Sequence, residues 1–129
     1  MAVKVVLIDD DKMHNQTFAN FLTRSGLDVL CAYSAQQGLD IIDDNRDIDA
    51  VVLDIFMPQH NGLTVLHYLQ SYVDWQKMPI IIMSSVPRKE IELSDRQLKN
   101  RGVRAYLEKD RTTPQDVLSI LLSCGSAGS

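Results

Sequence analysis

The sequence predicts an α/β fold: a doubly wound parallel sheet of five strands with five helices. Apolar runs of strand length alternate with segments of helical periodicity along the 129 residues. Most of these runs are unbroken, which is typical of parallel strands buried on both faces and joined by right-handed crossovers. A length within the common range of roughly 100–150 residues and a hydrophobic content of 45% indicate one domain with a sizeable core.

The first strand is predicted over residues 3–8, VKVVLI, and three aspartates follow it directly as residues 9–11. From Met13 the pattern changes to that of an amphipathic helix, which a Ser-Gly pair should end. Its apolar positions are Phe18, Phe21 and Leu22, and the pair that ends it is Ser25 and Gly26.

A second strand is predicted over residues 27–33 and a third over residues 50–54. Ser34 can cap the helix between them, because a serine hydroxyl accepts from a free amide of the first helical turn. The inward positions of that helix should be Ala35, Leu39 and Ile42.

The second half continues the alternation, with strands predicted over residues 80–83 and 104–109. A third helix follows Gly62, a fourth ends at Gly102, and a fifth runs from Pro114 through Leu122, since proline suits a first helical turn. The apolar positions of the third helix are Leu63, Leu66, Leu69 and Val73, and those of the fourth are Ile91 and Leu98.

Composition limits the class of protein. No apolar run approaches the ~20 residues of a membrane helix, and the N-terminus lacks a signal-peptide pattern, so we expect a cytoplasmic protein without a membrane partner. Cys31 and Cys124 stand in unlike contexts, which argues against a disulfide or a cysteine metal site. The net charge of −4 argues against direct nucleic-acid binding. Residues 88–104 carry a local charge of +3, which is most simply a solvated helix face.

Reactive side chains stand where the predicted strands end. Residues 9–11 follow the first strand, Asp54 ends the third, Ser84 and Ser85 follow the fourth, and Lys109 closes the fifth. Because sites in open parallel sheets form outside the carboxyl ends of the strands, we expect these groups to meet at one edge.

Carboxylates crowded at that edge repel one another unless a cation lies among them. Oxygen ligands without a histidine or cysteine set favour Mg²⁺. A bound Mg²⁺ leaves room for an anionic oxygen, and a lysine with a hydroxyl suits the other oxygens of a phosphoryl group. The arrangement is therefore consistent with phosphoryl transfer to a carboxylate.

These motifs resemble those of response regulator receiver domains of two-component signalling, and in particular the single-domain chemotaxis regulators. The resemblance covers about residues 3–122. It rests on the acid pair Asp9-Asp10, on Asp54 followed by Met57-Pro58 and Gly62, on a hydroxyl at Ser84, and on Lys109.

The resemblance implies a flavodoxin-like sheet of strand order 2-1-3-4-5, a receiver domain over residues 1–123, and a flexible tail or linker remnant over residues 124–129. It also implies roles for individual residues. Asp54 would accept the phosphoryl group, Ser84 and Lys109 would bind it, and Tyr106 would change rotamer to pass the signal on. The Mg²⁺ ligands would be Asp9, Asp10, Asp54 and the backbone carbonyl of Phe56.

The implied partners are a histidine kinase or phosphotransfer protein and a downstream protein or covalently linked output domain, with homodimerisation on phosphorylation left open. The protein would be a signalling switch and not an enzyme. Two alternatives remain: an aspartyl-phosphate phosphohydrolase, which would ordinarily carry an acid where Phe56 stands, and a receiver-like interaction module that takes no phosphate.

Some residues differ from the pattern that is usual in the family, and others do not belong to its motifs. The segment from Ser84 to Gly102 is longer than expected for the family, so the fourth helix or its entry loop should be unusual, and with it the surface that a partner would meet. Phe56 and Val86 are apolar where water would approach the phosphoryl group, so we expect slow self-dephosphorylation. The histidines share no ligand-like spacing and are placed on the surface or on helix faces; they are His14, His60 and His67.

Overall fold

The structure is a computed structural model, and it describes residues 3–54, 63–71 and 78–127. Five parallel strands form one sheet in the order β2-β1-β3-β4-β5. Both the fold class and the predicted strand order are confirmed. The strands are β1 (Lys4–Ile8), β2 (Asp28–Ala32), β3 (Ala50–Leu53), β4 (Ile80–Ser84) and β5 (Val103–Glu108).

Five helices connect and cover these strands. They are α1 (Lys12–Arg24), α2 (Ala35–Asp44), α3 (Leu63–Ser71), α4 (Asp95–Asn100) and α5 (Pro114–Ala127). None of the helices within the described ranges is long and apolar enough to cross a membrane.

Helix boundaries follow from the capping residues. The Ser34 hydroxyl accepts from the amide of Gln37 and starts α2, as predicted. Ser25 caps the end of α1, and Gly26 adopts a φ of 97°, a conformation that glycine enters without steric cost. The sequence placed the end of α5 at Leu122, but the helix continues to Ala127 and buries Cys124. The domain boundary at residue 123 stays a prediction.

The fourth helix is shorter than its apolar pattern indicates. A 3₁₀ turn at Arg88–Glu90 follows Pro87, and α4 begins only after Ser94, whose side chain and Gln97 form a capping box. Ile91 therefore lies before the helix and packs against the core from a loop. The predicted helical position Val73 lies outside the described residues.

The sheet carries a hydrophobic core on each face, because strand side chains alternate between the two faces. One core joins Val6, Ile8 and Leu53 to α2, α3 and α4. The other joins Leu7, Val52 and further strand residues to α1 and α5. Burial on both faces holds the strands rigid, so the residues that follow their carboxyl ends are held in place.

Gly38 of α2 is packed against Ile8, and a Cβ at residue 38 would lie 2.9 Å from the Cγ1 of Ile8 and closer still to its Cδ1. Ile8 is 1% exposed and has little room to move. We therefore expect Gly38→Ala to lower the free energy of unfolding by about 1–3 kcal/mol in urea titrations, although alanine favours a helix by ~1 kcal/mol.

Gln36→Ala, at an exposed position of the same helix, is the control and should stay within about 0.5 kcal/mol of wild type. Adding Ile8→Val to Gly38→Ala removes the nearest methyl group and should cost less than the sum of the two single changes. An unchanged stability of Gly38→Ala would contradict this packing account.

Candidate functional site

Two buried carboxylates lie side by side at the carboxyl edge of the sheet. Asp9 follows β1, and its amide donates to the carbonyl of Ala32 at 3.0 Å. Asp54 follows the adjacent β3, and its amide donates to the carbonyl of Ile8 at 2.9 Å. Each acid is 5% exposed. The backbone hydrogen bonds that extend the sheet by one residue therefore also position both carboxylates.

Lys109 places a positive charge between these acids. It follows β5, two strands away from Asp54 in the sheet, and its side chain reaches back across the edge. The Nζ atom lies 2.9 Å from Oδ2 of Asp54 and 3.0 Å from Oδ1 of Asp9. The Lys109 side chain is 18% exposed, so the three charges interact with limited screening by water.

The surroundings keep Asp9 and Lys109 ionised. Burial by itself would raise the pKa of Asp9, but hydrogen bonds from His14, from the Asp11 amide and from Lys109 hold that pKa below its usual value. Burial opposes the charge of Lys109, yet Asp54 and Asp9 raise the pKa of Lys109 above its usual value. Asp9 is consequently a carboxylate and Lys109 an ammonium at neutral pH.

The acids also form a group with the dimensions of a cation site. Ligand oxygens of Asp9, Asp10 and Asp54 all lie within 4.8 Å of one another, and Asp10 is exposed. Two oxygens on one octahedral Mg²⁺ lie roughly 3–4 Å apart at Mg–O distances of ~2.0–2.1 Å, so small side-chain shifts would suffice. Phe56, Met57-Pro58 and Gly62 lie outside the described residues.

Ser84 and Tyr106 are linked through the backbone of Val86. Ser84 ends β4 and is fully buried, and its Oγ accepts from the amide of Val86 at 3.0 Å. The carbonyl of Val86 accepts from the hydroxyl of Tyr106 at 2.6 Å. The guanidinium of Arg88 lies 5.8 Å from the centre of the Tyr106 ring. Burial raises the pKa of the Tyr106 phenol, with Ser84 and Arg88 opposing that rise.

His14 is a neighbour of the acids that the sequence did not predict. It lies on helix α1, but its Nδ1 is 2.9 Å from Oδ2 of Asp9, and its side chain is only 21% exposed. A signal was present: Asp11 caps α1 by accepting from the His14 amide, which puts His14 in the first turn beside the end of β1. His67 is exposed, and His60 lies outside the described residues.

Asn15 is a second residue near the site that sequence reasoning missed. It is 2% exposed, and its Nδ2 donates to the carbonyls of Leu7, Asp9 and Ala32 at 3.0–3.3 Å. The side chain thus ties the start of α1 to the ends of β1 and β2.

The Lys109 cluster leads to a prediction about stability. Removing Lys109 deprives two buried carboxylates of the positive charge that they share, so Lys109→Met should lower the free energy of unfolding by about 3 kcal/mol without divalent cations. Mg²⁺ should recover part of this loss, because a cation among the acids again offsets their repulsion. Chemical denaturation with and without MgCl₂ measures both effects.

Lys99→Met, at an exposed lysine of α4, is the matched control and should change stability little. If Lys109→Met behaved like Lys99→Met, or if Mg²⁺ had no effect on its stability, the electrostatic account of the cluster would be wrong.

Comparisons with known proteins agree with this architecture. The chain matches the response regulator receiver domain family over residues 5–121. It is 35% identical to the response regulator MprA of Mycobacterium sp. (strain KMS) over 66% of this chain and 36% of that protein. It is 32% identical to the transcriptional regulatory protein CpxR of Escherichia coli (strain K12) over 64% of this chain and 33% of that protein.

The fold is also similar to solved structures. A receiver domain structure from Clostridium thermocellum superposes with a TM-score of 0.82 at 26% identity, covering 98% of this chain and 96% of the other. The chain spans about a third of the length of the curated relatives that it matches. The family match extends over nearly the whole chain, and the protein therefore belongs to the response regulator receiver domain family of two-component signalling.

Proposed function

We propose that this receiver domain is a phosphoacceptor switch in which Asp54 takes a phosphoryl group from a phosphohistidine of a histidine kinase or phosphotransfer protein. The observation that carries the proposal is the position of Lys109, whose Nζ is 2.9 Å from the Asp54 carboxylate. A lysine so placed holds the acceptor group and can then bind the oxygens of an incoming phosphoryl group.

The transfer itself is a simple exchange of bonds. One carboxylate oxygen of Asp54 attacks phosphorus, the P–N bond to the donor histidine breaks, and that nitrogen keeps the electron pair. The product is an acyl phosphate with roughly −1.5 to −2 charges where one negative charge stood before. The rigid end of β3 supports this step by holding the acid in place for attack.

Mg²⁺ fits the oxygen donors at this edge, and Asp9, Asp10, Asp54 and the carbonyl of Phe56 are its proposed ligands. The cluster of three acids supports the assignment, since hard oxygen donors prefer this ion. When bound, Mg²⁺ would neutralise charge on the phosphoryl oxygens. Asp9 and Asp10 contribute negative charge beside Asp54, Asp9 from a buried position and Asp10 from an exposed one.

Ser84 and Tyr106 are the proposed route to the output face formed by α4, β5 and α5. If the Ser84 hydroxyl turned toward the phosphoryl group, its hydrogen bond with the amide of Val86 would break. The carbonyl of the same residue accepts from the Tyr106 hydroxyl, so a shift of Val86 would also affect Tyr106. The Tyr106 ring lines a groove of about 450 Å³ on this face, so a rotamer change would alter the surface that a partner meets. The basic residues of the groove are Arg88, Lys99 and Arg104.

We assign the groove to a downstream protein or a covalently linked output domain, and not to nucleic acid. The greater length of the curated relatives supports a linked domain. The switch role implies self-phosphorylation and self-dephosphorylation without turnover of other substrates. Cytoplasmic localisation, homodimerisation on phosphorylation, and a tail or linker remnant that begins after residue 123 stay predictions.

Beryllofluoride with Mg²⁺ tests the acceptor directly, because it forms a stable mimic of an acyl phosphate on a reactive aspartate. We expect one bound adduct in ¹⁹F spectra of the wild-type chain, and none for Asp54→Asn or after chelation of Mg²⁺. Asp40→Asn, at an exposed acid of α2, should retain the adduct.

An adduct that persisted in Asp54→Asn would overturn the assignment of the acceptor. Steady release of phosphate from phosphate esters would instead favour the phosphohydrolase alternative. Absence of any adduct in the wild-type chain would favour a module that takes no phosphate.

The lifetime of the phosphoryl group gives a second test. Phe56→Asn with Val86→Glu introduces groups that can orient a water, and one added hydrogen bond of about 1 kcal/mol corresponds to roughly a fivefold faster reaction. We expect the half-life of the acyl phosphate to fall by about that factor or more, followed by release of ³²P. Val86→Ala, which adds no hydrogen-bonding group, should not reproduce the change, and an unaltered half-life in the double variant would refute the shielding hypothesis.

A further inference from the structure

The carboxylate of Asp9 is held by donors from three directions. The amide of Asp11 donates to Oδ1 at 3.0 Å, Nζ of Lys109 lies 3.0 Å from both Oδ1 and Oδ2, and Nδ1 of His14 lies 2.9 Å from Oδ2. An ionised carboxylate can only accept hydrogen bonds, so the proton of this contact belongs to Nδ1 of His14. Two described side chains reach Oδ2: His14 and Lys109, of which Lys109 is shared with Asp54.

Lys109 is not a fixed support for Asp9, because it is shared with Asp54. In the proposed function, Lys109 shifts toward the phosphoryl oxygens once Asp54 is phosphorylated. The Asp11 amide and His14 then remain, one on each oxygen of Asp9, and two points of contact are enough to define the plane of a carboxylate.

His14 is itself held firmly. Its ring stacks on Phe18 with 4.5 Å between ring centroids and 29° between the planes, and Phe18 is 5% exposed. The neighbouring Asn15 binds the carbonyls of Leu7, Asp9 and Ala32. Hydrogen bonds of Asn15 therefore fix the first turn of α1 to the ends of β1 and β2. Together with the stacking on Phe18, they leave the His14 imidazole little freedom to move away from Asp9.

We propose that His14 is a positioning residue for the divalent cation of the acid cluster, acting through Oδ2 of Asp9. The inference rests on the proposed function and adds to it a residue outside the acid, hydroxyl and lysine motifs. A carboxylate already oriented by His14 binds a cation without first losing rotational freedom, so the imidazole strengthens binding although it does not touch the ion.

Two substitutions separate this role from simple packing. Asparagine carries its amide nitrogen at nearly the position of Nδ1, so His14→Asn keeps a donor for Asp9. Leucine keeps an apolar contact with Phe18 and offers no donor. Loss of an outer hydrogen bond to a metal ligand commonly costs about 10–100-fold in affinity; because His14 is partly exposed, we expect an increase of about 10-fold in the dissociation constant for His14→Leu.

The experiment is calorimetric titration of the full chain with MgCl₂, without a phosphoryl donor. We expect His14→Asn to stay within about threefold of wild type, and His67→Gln, at an exposed histidine of α3, to match it. Thermal unfolding of each apo variant checks that the fold is retained. Should His14→Leu not fold, His14→Met takes its place as an apolar variant without a donor.

Equal Mg²⁺ affinity in wild type and His14→Leu would overturn the positioning role, as would equal losses in the leucine and asparagine variants. These results leave the phosphoacceptor assignment intact, since beryllofluoride binding to the wild-type chain tests that separately. A wild-type chain that bound no Mg²⁺ would overturn both.

Discussion

The contact between Lys109 and the two buried carboxylates is the constraint on which the rest of the site depends. Two acids with 5% exposure each would repel strongly in an interior of low polarizability, and Lys109 within 3.0 Å of both offsets that repulsion. The parallel strands bring the acids together, because β1 and β3 are neighbours and end at the same edge. The proposed phosphoryl group on Asp54 would add negative charge there and so change the interactions that hold Lys109 between the two acids.

In a switch of the proposed kind, a small number of contacts must account for the free-energy difference between the two states. Moving a population from about 1:99 to 99:1 takes ~5.5 kcal/mol of preference for one state. The strands are covered on both faces and are poorly suited to move, whereas the segment after β4 is held by individual hydrogen bonds. The carbonyl of Val86 accepts from the hydroxyl of Tyr106, and its amide donates to the Oγ of Ser84, so one residue joins the buried serine hydroxyl to the tyrosine.

Much of the fold and of the acid site could be predicted from the sequence, because strand order and strand ends follow from patterns within short segments. Unbroken apolar runs identified the strands, and the rule for carboxyl ends brought Asp9, Asp54 and Lys109 to one edge. The length of α4 was missed because Ile91 suits both a helix and a packed loop, and the caps at Ser94 decide between them. His14 was missed because its contact with Asp9 depends on the orientation of the imidazole ring, and the spacing of residues along the sequence does not determine that orientation.

The central claim is that Asp54 receives the phosphoryl group, and chemical trapping tests it most directly. The chain is incubated with acetyl phosphate and Mg²⁺ and then reduced with borohydride, which converts an aspartyl phosphate to homoserine, and the modified residue is located by peptide mass spectrometry. We predict homoserine at position 54 and at no other aspartate. Homoserine at Asp9 or Asp10 instead, or no homoserine in a chain that binds Mg²⁺, would contradict the account.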